Sequence, residues 1–210
     1  MTTTIKTLDE AEISKAITHL QAVDCEMGAL IARVDQRPPI ANSDGSHFDA
    51  IVRTIVFQQL SGRVAETIHR RVTDMFDGKS PTPQQLDSIE EDRLRAAGLS
   101  RQKAAYLKDL ASKCISGELL VENLHEFEDE VVIEQLTQVK GIGKWTAQMF
   151  LLFRLGRADI LSELDLGMRK AIQRLYNLPE SPSYEQVVEI GKKWAPYRSV
   201  ASWYLWRSLE

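Results

Sequence analysis

The sequence predicts an all-α fold. Three observations carry that expectation: apolar residues recur at helical spacing along nearly the whole chain, no segment alternates apolar and polar residues as a half-buried strand does, and helix-start signals recur between the apolar runs. At a usual helix length of about 11 residues, the chain has room for roughly ten short helices.

Taken in order, the first breaks fall at Pro38-Pro39 and at Asn42-Ser43-Asp44-Gly45, where turn-forming residues cluster. Ile51, Ile55, Val56 and Leu60 then share one helical face. After a break from Gly78 to Pro83, Thr82 is placed as an N-cap, with Pro83 at the first helical position and Gln85 completing a capping box. Ala104, Leu107, Leu110, Ala111 and Cys114 form the apolar face of a further helix. A last break runs from Leu178 to Pro182, and Ser183 ahead of Tyr184-Glu185-Gln186 opens the next helix. There is no internal repeat and no low-complexity tract.

With 210 residues and 43% hydrophobic content, the chain can bury one globular core, or two small lobes sharing a cleft. No stretch approaches the roughly 20 apolar residues of a membrane span, and the N-terminal MTTTIKTLDEAEISK lacks a basic segment followed by an apolar one. A soluble, intracellular protein is expected. Cys25 and Cys114 have neither a neighbouring cysteine nor a histidine pair, which excludes a zinc or iron-sulfur cluster built on them and leaves them as buried thiols. The formal charge of −4 argues mildly against a partner held by bulk positive charge. Local basic patches are compatible with it: Arg63, Arg70 and Arg71; Arg101 and Lys103; Lys140 and Lys144; Arg169 and Lys170. Each serves equally well as a solvated helix face.

The informative segment is Leu136-Thr-Gln-Val-Lys140-Gly141-Ile142-Gly143-Lys144-Trp145-Thr146-Ala147, which runs on into the apolar Met149-Phe150-Leu151-Leu152-Phe153. Two helices flank a tight glycine turn. Gly141 and Gly143 are expected to permit positive φ and close backbone approach, and the amides opening the second helix carry the positive end of its dipole. That arrangement suits an anion such as phosphate, and backbone amides bind it without adding formal charge. A lone Gly-x-Gly turn is weak evidence; the surrounding residues add the rest.

The pattern from Leu136 to Ala147, followed by Asp159-Ile-Leu-x-x-x-Asp165-Leu-Gly-x-Arg169-Lys170, resembles the helix-hairpin-helix DNA glycosylases of the endonuclease III superfamily. Within it the best match is the 3-methyladenine DNA glycosylase II branch. Ile51-Val-Arg-Thr-Ile-Val-Phe57-Gln58-Gln59-Leu60-Ser61 and Gly98-Leu-Ser-Arg101-x-Lys103-Ala104 fit the same branch, so the resemblance spans about residues 45 to 208.

The resemblance implies two helical lobes flanking a DNA-binding cleft: residues 47–156 as a central lobe with the hairpin, and residues 1–46 with 157–210 as a second lobe carrying the catalytic aspartate across the cleft. It implies a monofunctional enzyme of base excision repair that flips alkylated bases out of double-stranded DNA and hydrolyses the N-glycosidic bond. Asp165 takes the place of the catalytic carboxylate, where a preorganised negative charge stabilises an oxocarbenium-like sugar. As a local pattern Asp165 is also a helix N-cap for residues 166–176, and the two roles are compatible. Many relatives read Leu-Pro-x-Asp-Asp where this chain has Leu161-Ser162-Glu163-Leu164-Asp165, so the proline and first aspartate are missing, and Glu163 is an alternative acid.

Trp145 stands where Schiff-base-forming members have lysine. It cannot attack the sugar, and its ring and Phe57 are candidate walls for a flipped, electron-poor base. The turn Gln58-Gln59-Leu60 matches the family's wedge, with Gln59 favoured as the inserted residue. Gly141, Gly143, Lys144 and Thr146 complete the expected DNA contacts. No organic cofactor is implied, and the superfamily's hairpin carbonyls can hold a monovalent cation. The larger bacterial members carry an additional N-terminal sheet domain, and this chain is expected to be a compact member, acting as a monomer in the bacterial cytoplasm or nucleoid, or in the nucleus if eukaryotic. Competing readings are a bifunctional or mismatch glycosylase of the same superfamily, and a catalytically silent module that senses lesions.

Overall fold

The computed structural model describes residues 5–41 and 44–210, so the expected break at Asn42-Ser43 lies outside the described residues. The helices are α1 (Glu10–Val23), α2 (Cys25–Arg33), α3 (His47–Phe57), α4 (Gly62–Asp74), α5 (Pro83–Ser88), α6 (Glu91–Ala96), α7 (Arg101–Ser116), α8 (Asp129–Thr137), α9 (Lys144–Phe153), α10 (Leu166–Leu175), α11 (Tyr184–Gly191) and α12 (Arg198–Arg207). Short 3₁₀ turns at Val121–Glu126 and Lys192–Trp194 complete the order. Among the described residues, β pairing amounts to one isolated antiparallel bridge, Thr7 with Arg157.

The helices start where the sequence signals them. Thr82 and Gln85 form a reciprocal capping box on α5, and Ser183 and Gln186 do the same on α11, each satisfying two otherwise unpaired amides. Ser46, Ser100 and Asp24 cap α3, α7 and α2 with their side chains.

The chain divides into two compact units, Ser43–Phe150 and Met1–Asn42 with Leu151–Glu210. The core of the first is built by the inner faces of α3 (Ile51, Val52, Ile55, Val56), α4 (Ala65, Ile68, Val72), α7 (Ala104, Leu107, Leu110, Ala111) and α8 (Val132, Leu136), all buried. Helix α7 packs against α3, α5 and α6 and is the spine of this unit. Leu60 leaves the apolar face assigned to it: α3 ends at Phe57, and Leu60 sits in the following turn at 37% exposure. Nor are both thiols buried. Cys25 is exposed at the start of α2, while Cys114 is half-buried, and burial followed by the nearby Glu122 charge pushes its thiol up to about 12.

The second unit buries Ile13, Leu20, Met27, Leu30, Ile172, Trp194, Val200, Tyr204 and Leu205 in one cluster. At its centre lies Asp24, only 6% exposed. Its Oδ2 accepts from Trp194 Nε1 at 2.8 Å and from the Tyr176 hydroxyl, and pairs with Lys193 Nζ at 3.0 Å, while Oδ1 caps α2 through the Met27 amide. Burial opposes the charge on Asp24, but these donors outweigh it and hold the carboxyl below its ordinary value. No helix is long and apolar enough to cross a membrane among the described residues.

Candidate active site and DNA interface

Helix α8 ends at Thr137, and the chain turns through Gln138 to Gly143 into α9. The Ile142 amide donates to the Val139 carbonyl at 3.0 Å, and the Ala147 amide donates to Gly143 O at 3.0 Å, which starts α9 at Gly143. The two glycines differ. Gly141 has φ +82°, and a Cβ there would lie 2.1 Å from the Tyr106 ring, so the position demands glycine twice over. Gly143 does not have positive φ, contrary to expectation, and a Cβ there would meet nothing within 4 Å. Its lack of a side chain leaves open the approach to the positive end of α9 rather than serving the fold.

The turn after α3 is equally specific. Gln59 has φ +57°, a left-handed conformation costly to a residue with a Cβ. The turn is closed by the Leu60 amide donating to Phe57 O at 3.3 Å, and Gln58 Nε2 donates to Gly141 O at 2.9 Å, tying it to the hairpin. Gln59 and Leu60 are exposed at its tip.

A groove of about 700 Å³ opens between these turns. It is walled by Phe57, Gln58, Gln59, Gly141, Trp145 and Thr146, so residues far apart in sequence share one cavity, together with Arg53, Lys103, Tyr106 and Met149. Trp145 is 45% exposed, which removes ordinary core packing as its explanation. Phe57 is half-buried between the Arg53 guanidinium, 4.1 Å from its ring centre, and His69, edge-on at 6.2 Å. Thr146 lies only 9% exposed, a wall of the groove rather than a protruding contact, and Lys144 is exposed at the start of α9. Of the basic residues singled out, Lys140 pairs with Asp109 at 3.3 Å, Arg169 donates to the Pro182 carbonyl at 2.7 Å, and Lys103 is turned onto backbone carbonyls. Among the described residues no His, Cys, Asp and Glu cluster can hold a metal ion. The hairpin carbonyls of Val139, Gly141 and Gly143 each accept a protein hydrogen bond.

In the other unit, Asp165 caps α10, its Oδ1 accepting from the Met168 amide at 2.6 Å and from Trp206 Nε1 at 3.0 Å. It is half-buried, between Leu164 and Leu166, of which Leu166 is 76% exposed. Gly167 leaves room for the pair: a Cβ there would stand 3.0 Å from Asp165 Oδ1 and 3.5 Å from the Trp206 ring. The corner closes without its proline, because the Asp165 amide donates to the buried Ser162 carbonyl at 3.0 Å.

Residues 52–196 match the HhH-GPD superfamily of base excision DNA repair proteins. Over 199 residues the chain is 33% identical to DNA-3-methyladenine glycosylase 1 of Schizosaccharomyces pombe, covering 93% of this chain and 87% of that protein. The chain belongs to this superfamily. Its fold matches the crystal structure of a DNA-3-methyladenine glycosidase from Bacillus halodurans, with TM-score 0.82 and 33% identity over 98% of this chain and 92% of that one. It also matches the S. pombe 3-methyladenine DNA glycosylase in complex with abasic DNA, with TM-score 0.80 and 33% identity over 92% and 96% of the two chains. The putatively named YfjP glycosylase of Bacillus subtilis is 32% identical, and there the match covers 80% of this chain and 60% of the relative. The all-α HhH-GPD fold expected from the sequence is the fold observed.

Sequence reasoning on this HhH-GPD protein missed Lys103, Tyr106 and Trp206. Lys103 was visible as half of a basic pair and within a family-like block, with no role attached, and Tyr106 carried no signal at all. Trp206 is joined to Asp165 across 41 positions in sequence, which no local spacing marks.

Proposed function

We propose that the chain is a monofunctional DNA glycosylase that removes alkylated bases from double-stranded DNA by hydrolysing the N-glycosidic bond, the opening step of base excision repair. The observation that carries the monofunctional reading is Trp145, an exposed indole in the groove wall at the position where strand-nicking members have lysine. An indole forms no Schiff base, and its π face attracts the positive charge of an alkylated purine.

The residues divide the work. The α9 start, open at Gly143, receives a backbone phosphate, which fixes the register of the duplex without reading sequence. Gln59, held at the tip of its turn, fills the space that a flipped nucleotide leaves. Trp145 and Phe57 line the groove for the base. As the bond from the sugar C1′ to the base nitrogen breaks, its electron pair leaves with the base and positive charge grows on the sugar. The Asp165 carboxylate, already oriented by Met168 and Trp206, stabilises that charge. Water oxygen then bonds to C1′ and loses a proton, giving free base and an abasic site. A cationic base such as 3-methyladenine or 7-methylguanine leaves neutral and needs no protein acid, whereas a neutral lesion must gain a proton, supplied by solvent, as it leaves.

Duplexes each bearing one lesion, among them 3-methyladenine, 7-methylguanine, 1-methyladenine, hypoxanthine and an etheno adduct, test this directly. The expected result is base release with an unbroken strand until alkali is added. Release of no base from any duplex would favour a lesion-sensing module, and strand cleavage without alkali would favour a bifunctional enzyme.

A further inference from the structure

Three side chains on α7, spaced every third residue, each engage one of the two turns that border the groove. Lys103 Nζ donates to Val56 O at 2.7 Å and to Gln58 O at 2.5 Å. The Tyr106 ring lies against Gly141, and Asp109 Oδ2 accepts from the Lys140 amide at 2.9 Å. Gln58 closes the loop by donating to Gly141 O. The turn after α3 and the hairpin are therefore mounted on one rigid helix whose inner face is core.

Within this brace Lys103 has a distinct task. Val56 and Gln58 lie at the carbonyl end of α3, where the last carbonyls have no partner further along the helix. An ammonium there is favoured by the helix dipole and satisfies two carbonyls at once. The residue immediately after the second of these carbonyls, at the tip of the turn, is Gln59, whose left-handed conformation is unfavourable for any side chain with a Cβ. Such a conformation persists only where its surroundings over-determine it. Lys103 is a charged group fixed on the carbonyl immediately before Gln59, and burial works against its own charge, lowering its tendency to stay protonated.

We propose that Lys103 is a positioning residue for base flipping, which pins the Val56 and Gln58 carbonyls just ahead of Gln59 so that the wedge is preformed before DNA arrives. This rests on the glycosylase reading above and adds to it a residue that touches neither base nor sugar. A preformed wedge contributes only where there is a gap to fill. Its loss therefore weakens binding to a duplex with an abasic-site analogue, such as tetrahydrofuran, more than binding to the same duplex undamaged. A lysine that merely supported the fold would weaken both alike.

The test is the ratio of the two affinities, measured by fluorescence anisotropy for wild type, Lys103→Met and Lys103→Arg, with 2-aminopurine opposite the analogue reporting unstacking. For Lys103→Met the ratio falls about tenfold, equivalent to about 1.4 kcal/mol, while affinity for undamaged duplex stays within about twofold. Lys103→Arg, which keeps the charge and two donors, restores most of it. If methionine leaves too little folded protein, Lys103→Gln replaces it, with the same expected fall. An unchanged ratio in a folded Lys103→Met or Lys103→Gln protein overturns the assignment. Failure of the glycosylase reading looks different: wild type then releases no base from any lesion duplex, whatever its preference for the abasic-site duplex.

Discussion

Replacing Asp165 by asparagine separates the two roles that this residue combines. Asparagine keeps an oxygen able to accept from the Met168 amide and from Trp206 Nε1, now 2.6 and 3.0 Å from Oδ1, and it caps helices about as well as aspartate. What it removes is the negative charge. For stability, the loss is the favourable interaction of that charge with the start of α10, about 0.3–1 kcal/mol, or roughly 1–4 °C in melting temperature for a chain of this size. For catalysis, the loss is one preorganised electrostatic partner of a developing cation, about 3–4 kcal/mol, which slows base release by about 100- to 1,000-fold. The two effects differ by enough to be read apart. The assay is single-turnover release from a duplex carrying a stable lesion such as an etheno adduct, with enzyme in excess, alongside thermal melting and binding to an abasic-site duplex. Binding should survive within a few-fold. A labile lesion such as 3-methyladenine should lose least, because its leaving group needs little help. Release at the wild-type rate with unchanged melting would refute the reasoning: the carboxylate would then be a cap alone, and Glu163 would be the next acid to replace.

The two hairpin glycines give opposite expectations. Gly141→Ala must meet both the +82° φ and the Tyr106 ring, and should destabilise by about 3 kcal/mol, whereas Gly143→Val should melt like wild type and yet bind all duplexes more weakly, as titration calorimetry with damaged and undamaged DNA can show. Trp145→Ala removes an exposed side chain, so stability should change by under about 1 kcal/mol while excision falls about tenfold to a hundredfold; borohydride should trap no covalent adduct with the wild type. Because so many cations are engaged within the protein, log affinity against log salt should be no steeper than about −5, a slope that binding at several salt concentrations measures. Asp24 has its carboxyl held below the unfolded value of 3.8, so its contribution to stability is complete above that pH and is lost as pH falls through the lower folded value. Asp24→Ala, which strands Trp194 and Tyr176, should destabilise by about 3 kcal/mol or more at neutral pH, and denaturant melts from pH 6 to pH 2 should show the difference from wild type shrinking only at the acid end.

What the sequence made legible follows from what a helix writes into its own order of residues. Thr82 with Gln85 and Ser183 with Gln186 announce helix starts because the capping partners are three positions apart, and both boxes are formed. The apolar faces of α3 and α7 are legible for the same reason. Grouping Phe57, Gln58 and Gln59 with Gly141, Trp145 and Thr146 needed the family resemblance, since nothing in local spacing joins positions more than 80 residues apart. Contacts on the other faces of α7 left no trace. A lysine reaching carbonyls 45 and 47 positions earlier reads, in sequence, like any solvated lysine. Gly141 and Gly143 look alike in the chain, and it is the positive φ of the first and the Tyr106 ring beneath it that distinguish them. Leu60 was placed on a helix that ends three residues before it, because an apolar residue at the next helical position carries no mark of the left-handed Gln59 in between.

Two of the four tryptophans donate their indole N–H to a carboxylate: Trp194 to Asp24 and Trp206 to Asp165. An indole proton resonance moves when the surroundings of the oxygen it binds change, and a chain with four indoles gives a spectrum of four such signals. The protein thus carries its own indicator dyes. One signal reports on a carboxylate inside the core, the other on the carboxylate assigned to the reaction, and nitrogen-15 spectra recorded with and without DNA follow both. Addition of an abasic-site duplex then reports occupancy at Trp206 while Trp194 serves as the internal standard.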